Sequence, residues 1–167
     1  MGILRYNMDV PQRDGSDDLT VTIKELLNSF PGTEEKIHFG TLSKEYGIGM
    51  FPTSQAAIIS EKEDITGHVE QRCAYPFLVV SRAAGLSEAR KEKVKEWLDT
   101  LGKWLERQNI RIGENEFKLK EYPDLPGDMR FEKFQRTSQA ALYGTSEDKV
   151  EDWAIAIQAT YLVEFDR

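Results

Sequence analysis

The side chains that could do chemistry in this chain are few. His38 and His68 are the only histidines. His68 stands near Asp64 and Glu70, and an imidazole between two carboxylates could ligate a metal or act as a general base; a solvated polar loop is the commoner meaning of such a trio. Gly47-Ile48-Gly49 lacks both the third spaced glycine and the following Lys-Ser/Thr of a phosphate-binding loop. Cys73, the single cysteine, has no CxxC partner and no helix N-terminal setting that would lower its pKa. Ser54, Ser60 and Ser138 lack the GxSxG frame of a hydrolase elbow. Trp97 and Trp104 read as core rather than as an exposed aromatic platform. No catalytic constellation, cofactor site or metal site emerges, and the expectation is a protein that is not an enzyme.

The elements that would position these residues are clearer. In Ser87 to Gln108 the residues Val94, Trp97, Leu98, Leu101, Trp104 and Leu105 recur at three- and four-residue steps, which places them on one stripe of an α-helix. Ser87 is the expected N-cap, Glu88 suits the first turn and Arg107 the last. Gly102 costs about 1 kcal/mol against alanine in mid-helix; it neighbours Leu98 and Leu105, where a missing side chain lets the helix approach a sheet. A first helix is expected from Ser16 or Asp17 through Leu19, Ile23, Leu26 and Leu27 to about Phe30, stopped by Pro31-Gly32.

Strand patterns fill the rest. Lys36 to Phe39 is a short candidate, Tyr46 to Pro52 a glycine-punctuated turn into an apolar segment, and Gln55 to Ser60 a better strand. The polar segment Glu61 to His68 reads as a hairpin loop leading into a long alternating strand, Val69 to Ala83, in which Pro76 argues for an edge position or a bulge. Arg111-Ile112 and Glu116 to Lys120 are weak. Phe131 to Tyr143 is read as one strand, Gly144 to Glu151 as a second hairpin loop, and Asp152 to Phe165 as a strand with Trp153, Ile155, Ile157, Ala159, Tyr161, Val163 and Phe165 on one face. Helices alternating with pairs of antiparallel strands predict an α+β fold: a mostly antiparallel sheet with two main helices packed on one face. The expected division is an N-terminal arm, residues 1–16, and one α+β domain, residues 17–167.

Composition narrows the function. A chain of 167 residues, 40% hydrophobic, can bury a sizeable core. A net charge of −7 without a basic cluster argues against a nucleic-acid grip. One cysteine excludes an internal disulfide and suits a reducing compartment. No run is long and apolar enough for a transmembrane helix, so no membrane is expected.

The order of segments carries a resemblance. A helix ending in Phe30-Pro31-Gly32, then Gly49-Met50-Phe51-Pro52-Thr53-Ser54, Ile65-Thr66-Gly67, a strand ending in Phe77-Leu78-Val79-Val80, a charged helix with Leu98 and Trp104, and a Trp153-led last strand resemble the bacteriophage and prophage tail terminator, or tail completion, proteins, often labelled minor capsid proteins. The likeness covers about Asp18 to Phe165. It implies a structural protein of the virion tail, assembled in the host bacterial cytoplasm, that caps the tail tube as a hexameric ring, ends tube polymerisation and forms the head-tail joining interface. The implied partners are further copies of the chain, the tail tube protein, head-tail connector proteins and, in a contractile tail, the sheath. DNA would pass through the ring without sequence-specific binding, which an acidic surface favours. Glu61, Glu63, Asp64 and His68 are the candidate loop for the lumen or the tube, an ordinary solvated hairpin loop being the alternative. Ile3, Leu4 and Tyr6 are candidate arm contacts to a neighbouring subunit. The competing readings are another connector, stopper or tube protein of the same particle, and a small acyltransferase-like or hydrolase-like enzyme.

Overall fold

A computed structural model describes residues 15–55 and 57–167, with side chains from Asp18 onward. The chain forms two helices and nine strands there: α1 (Gly15–Asn28), β1 (Ile37–Phe39), β2 (Gly47–Pro52), β3 (Ile58–Glu63), β4 (His68–Ala84), α2 (Glu88–Leu105), β5 (Ile110–Ile112), β6 (Asn115–Phe117), β7 (Met129–Arg136), β8 (Ala141–Thr145) and β9 (Val150–Asp166). β4 and β9, 17 residues each, pair antiparallel along their whole length from His68↔Asp166 to Ala84↔Val150 and form the spine of the sheet. β2 and β3 flank opposite halves of β4, while β7 and β8 flank opposite halves of β9. Only β1, parallel to β2, departs from the antiparallel rule in this sheet; β5 and β6 form a separate hairpin.

Alternation decides which face becomes core. Phe77, Val79, Ile155, Ile157 and Ala159 point to one side and are buried with Leu19, Ile23 and Leu27 of α1 and Leu98, Leu101, Trp104 and Leu105 of α2. The two helices therefore share one face, and the fold is α+β as the patterns predict. Thr20 of α1 hydrogen-bonds the Tyr75 hydroxyl at 2.9 Å. The residues between the core positions, Arg72 and Arg82 among them, turn to the opposite face, where each guanidinium is held by two hydrogen bonds to a carboxylate: Arg72 on Glu132 (2.9 and 2.8 Å) and Arg82 on Asp152 (2.7 and 2.8 Å).

The helix ends follow their chemistry. The Ser87 hydroxyl accepts from the Arg90 N–H at 3.3 Å, and Glu88 sits in the first turn. At the other end Lys103, not Arg107, occupies the last turn. Arg107 lies beyond it at φ 65°, where its N–H reaches the Trp104 carbonyl at 2.9 Å and the Gln108 N–H reaches that of Lys103 at 3.0 Å, satisfying carbonyls that the helix leaves open. Gly102 faces the sheet as its spacing implies: a Cβ there would lie 2.5 Å from Cδ of Arg136 and 3.0 Å from Cδ1 of Ile155.

Four expectations are corrected. α1 ends at Asn28, and Phe30 lies past it, buried against Trp97 and Trp104 with ring centroids at 5.6 and 5.3 Å. Pro76 sits on a central strand whose pairing with β9 is unbroken. The neighbouring even residue Ala74 donates to Ala57, and the Pro76 carbonyl accepts from Thr53; the missing Pro76 N–H thus faces the place where β3 gives way to β2, and no ladder bond is lost. The strand read as Phe131 to Tyr143 is two strands. Its chain breaks at 137–140, where the Ala140 N–H donates to Asp99 of α2 at 2.9 Å and the Ser138 hydroxyl accepts from the Ala156 N–H at 3.1 Å. The loop read as Gly144 to Glu151 shrinks to 146–149, because β8 runs on to Thr145.

Candidate functional site: the hairpin tip and the sheet end

The candidate residues Glu61, Glu63, Asp64 and His68 converge at one end of the sheet, but not as a free acidic loop. Glu61 and Glu63 belong to β3, paired with Gln71 and Val69 of β4. The turn is confined to 64–67 because Asp64 builds it: its Oδ1 accepts from the Thr66 N–H (2.8 Å), the Thr66 hydroxyl (2.6 Å) and the His68 N–H (3.1 Å). These bonds, the Thr66 hydroxyl first, hold the Asp64 carboxyl below its usual range. Gly67, at φ 87°, closes the turn and accepts at its carbonyl from the Arg167 N–H at 2.8 Å. Ile65 stands fully exposed at the tip.

The two strand carboxylates are tied to the end of the chain. Glu61 accepts from Gln71 at 2.7 Å and lies 3.5 Å from Nη2 of Arg167; the Gln71 bond first, and the Arg167 charge after it, lower its pKa. Glu63 accepts from Nη1 of Arg167 at 2.6 Å, and the Arg167 guanidinium lies 5.6 Å from the Phe165 ring centre.

His68 has other carboxylates than the sequence suggested. Asp64 reaches only its backbone N–H, and Glu70 lies 3.9 Å from Arg130 instead. Nδ1 of His68 bonds Asp166 at 2.9 Å and Nε2 bonds Glu164 at 3.0 Å. Two acceptors on the two ring nitrogens call for two donors, which only the imidazolium supplies; the Asp166 and Glu164 bonds raise the His68 pKa to about 9. In that form the ring has no lone pair for a proton or a metal. Glu164 also accepts from Arg130 at 2.8 Å, and the Arg130 bond, then that from His68, lower its pKa. Among the described residues no group of three or more His, Cys, Asp and Glu side chains is arranged to hold a metal ion. Cys73 is buried, and burial pushes its thiol up.

Sequence reasoning missed Arg167, Glu164 and Asp166. The signal was indirect: two alternating strands of equal length, paired end to end, bring 164–167 beside the hairpin tip. Ile3, Leu4 and Tyr6 lie outside the described residues.

The raised His68 pKa has a signed consequence. Because it exceeds the ordinary value of 6.5, folding is favoured while the ring is protonated: the contribution is complete below about pH 6.5 and is lost as pH rises through about 9. Wild type is expected to unfold at a higher denaturant midpoint than His68→Gln at about pH 6, with the two converging by about pH 10. A gap independent of pH would contradict the pairing.

No helix among the described residues is long and apolar enough to cross a membrane. Compared with known proteins, the chain matches no family model and no curated protein.

Proposed function

We propose that the chain is a tail terminator: a structural protein that closes into a ring on the end of a phage or phage-like tail tube, stops its growth and offers the opposite surface to the head connector. The observation that carries this reading is the order in which the resembling segments fall on the fold. GMFP lies in β2, Ile65-Thr66-Gly67 makes the turn before β4, FLVV lies in β4, the charged stripe is α2 and Trp153 stands near the start of β9. Two further features support it. The titratable groups at the sheet end are engaged with one another, in ion pairs and turn bonds suited to a surface that must hold its shape. Arg72 and Arg82, on the face opposite the helices, are each paired bidentately with a carboxylate, so a ring wall made from that face would present DNA with these two guanidinium groups already occupied.

In this reading the hairpin tip meets the tube or lines the bore, and the arm around Ile3, Leu4 and Tyr6 clasps the adjacent subunit. The test is tube growth observed by electron microscopy with the protein added. Wild type is expected to give capped tubes of limited length, and Glu61→Lys/Glu63→Lys, which reverses two charges while leaving Asp64 to hold the turn, is expected to reduce capping by about tenfold, as a loss near 1.4 kcal/mol would do. Equal capping by the reversed variant would remove the tip from the contact.

A further inference from the structure

β1, β3, β7 and β8 each pair on one side only, so each leaves a backbone edge. Two of these edges are closed by side chains of the same chain. On β1 the Asn28 amide accepts from the Ile37 N–H at 2.8 Å and donates to the Ile37 carbonyl at 3.1 Å. On the second half of β7 the Phe134 N–H donates to the Tyr122 hydroxyl at 3.2 Å and the Arg136 N–H to Glu106 at 2.8 Å. Among the described residues no such cap lies on β3, on β8 or on the Met129–Phe131 start of β7. Every residue of β3 is exposed. Large exposed apolar side chains gather at the edges: Phe39, Ile58 and Ile59 on the β1 and β3 side, Leu142 and Tyr143 on the β8 side. An open row of N–H and C=O groups beside apolar side chains is a template for another strand.

We propose that β3 of one copy pairs antiparallel with Met129–Phe131 of β7 on the next copy, so that the sheet runs on from copy to copy. The inference rests on the ring reading, for which it supplies the joint. The two segments stand at the same level of the sheet. Ile58, Cys73, Tyr161 and Phe131 form one row across it, Ser60, Arg72, Leu162 and Arg130 the next, and Glu61, Gln71, Val163 and Met129 a third; each row then continues into the neighbour without a stagger. Their directions agree as well. β3 opposes β4, β4 opposes β9 and β9 opposes β7, so β3 and β7 run oppositely, and a rotation about an axis along the strands brings them together antiparallel. The backbone groups also face correctly. The Asp64 N–H reaches the His68 carbonyl and the Asp128 carbonyl accepts from the Glu164 N–H, and alternation from these bonds turns Glu61 and Met129, which share a row, outward to each other. Ile58 then covers the partly buried Phe131. A two-fold contact of β3 with itself would set Glu61 opposite Glu61 or Glu63, like charges that oppose pairing. Two different edges joined head to tail make the contact heterologous, the kind that closes into a ring.

Disulfide trapping in the full-length chain tests this. Ser60→Cys and Arg130→Cys are made singly and together, oxidised alone and on tube ends, and read on non-reducing gels. Within one copy the two positions are three strand spacings apart, about 14 Å, beyond the roughly 7 Å that a disulfide can bridge, so any link joins two copies. The single variants are expected to stay as single chains, their mixture to give a two-chain band, and the double variant to give a ladder that stops at a closed ring. Glu61→Cys with Met129→Cys probes the adjoining row and serves if the first pair does not fold. Two-chain bands from Ser60→Cys alone would replace the head-to-tail joint with a two-fold one and overturn the proposal. Capped tube ends with no ladder from either pair would overturn the joint while leaving the ring reading intact. A ladder that never closes would support the joint and overturn the ring. A folded double variant with neither ladder nor ring would overturn both.

Discussion

Trp104→Ala is expected to destabilise the protein by about 3–5 kcal/mol, the range for deleting a large aromatic from a packed core, out of a net stability on the order of 5–15 kcal/mol. Trp104 is 4% exposed. Its ring packs on Phe30 at 5.3 Å, so it joins α2 to the segment that leaves α1 as well as to the shared core. Truncation opens a void that neither helix can close without moving Phe30, whose ring is also held by Trp97. Trp97 provides the control: it is only partly buried and keeps its indole N–H on the Gly32 carbonyl, so Trp97→Ala is expected to cost less. Denaturant unfolding at one pH measures both. A Trp104→Ala loss below about 1 kcal/mol would mean that the core does not depend on this ring.

The second large effect is at Gly102. A Cβ there would stand 2.5 and 2.7 Å from Cδ and Cγ of Arg136, the middle of a side chain and not its mobile end. That side chain cannot simply swing away. Its Nε and Nη2 donate to Glu106 at 3.0 and 3.1 Å, and the Arg136 backbone N–H donates to the same carboxylate at 2.8 Å. Burial alone would raise the Glu106 pKa, yet the Arg136 bonds hold it below its usual value, a sign that the pair is well made. Gly102→Val must displace both Arg136 and Ile155; overpacking costs about 1–3 kcal/mol, and breaking the Glu106–Arg136 link adds to it. Gly102→Ala gains about 1 kcal/mol of helix propensity, which offsets part of a smaller clash. The expected order of stability is wild type at or above Gly102→Ala, and both well above Gly102→Val. A valine variant as stable as wild type would show that α2 does not approach the sheet this closely.

These two positions were legible in the sequence because their causes are local. A stripe at helical spacing names its buried side, and a glycine within that stripe marks where the helix comes nearest its neighbour. The alternation of Trp153 to Phe165 was legible for the same reason, as was the α+β layering that follows from two striped helices and paired strands. What was not legible depends on residues far apart in the chain. Glu61 and Glu63 look like loop because they are charged; they are strand because β4 offers its backbone edge and an exposed edge strand tolerates charge on both faces. His68 looks tied to Asp64 and Glu70, its sequence neighbours, whereas the register of β4 on β9 hands it to Glu164 and Asp166. Pro76 reads as an edge residue until the changeover from β3 to β2 is seen beside it. The break after Arg136 is set by Asp99, an α2 side chain that captures the Ala140 N–H, and no pattern within Phe131 to Tyr143 contains that information.

The central claim, that copies of this chain close into a ring on a tube end, is tested most directly by the mass of the purified full-length protein in solution, alone and mixed with its tail tube protein. The account predicts a discrete hexamer, or a monomer that assembles into a ring on tube ends and halts their growth. A stable monomer indifferent to tubes would contradict it, and so would an open stack that grows without limit.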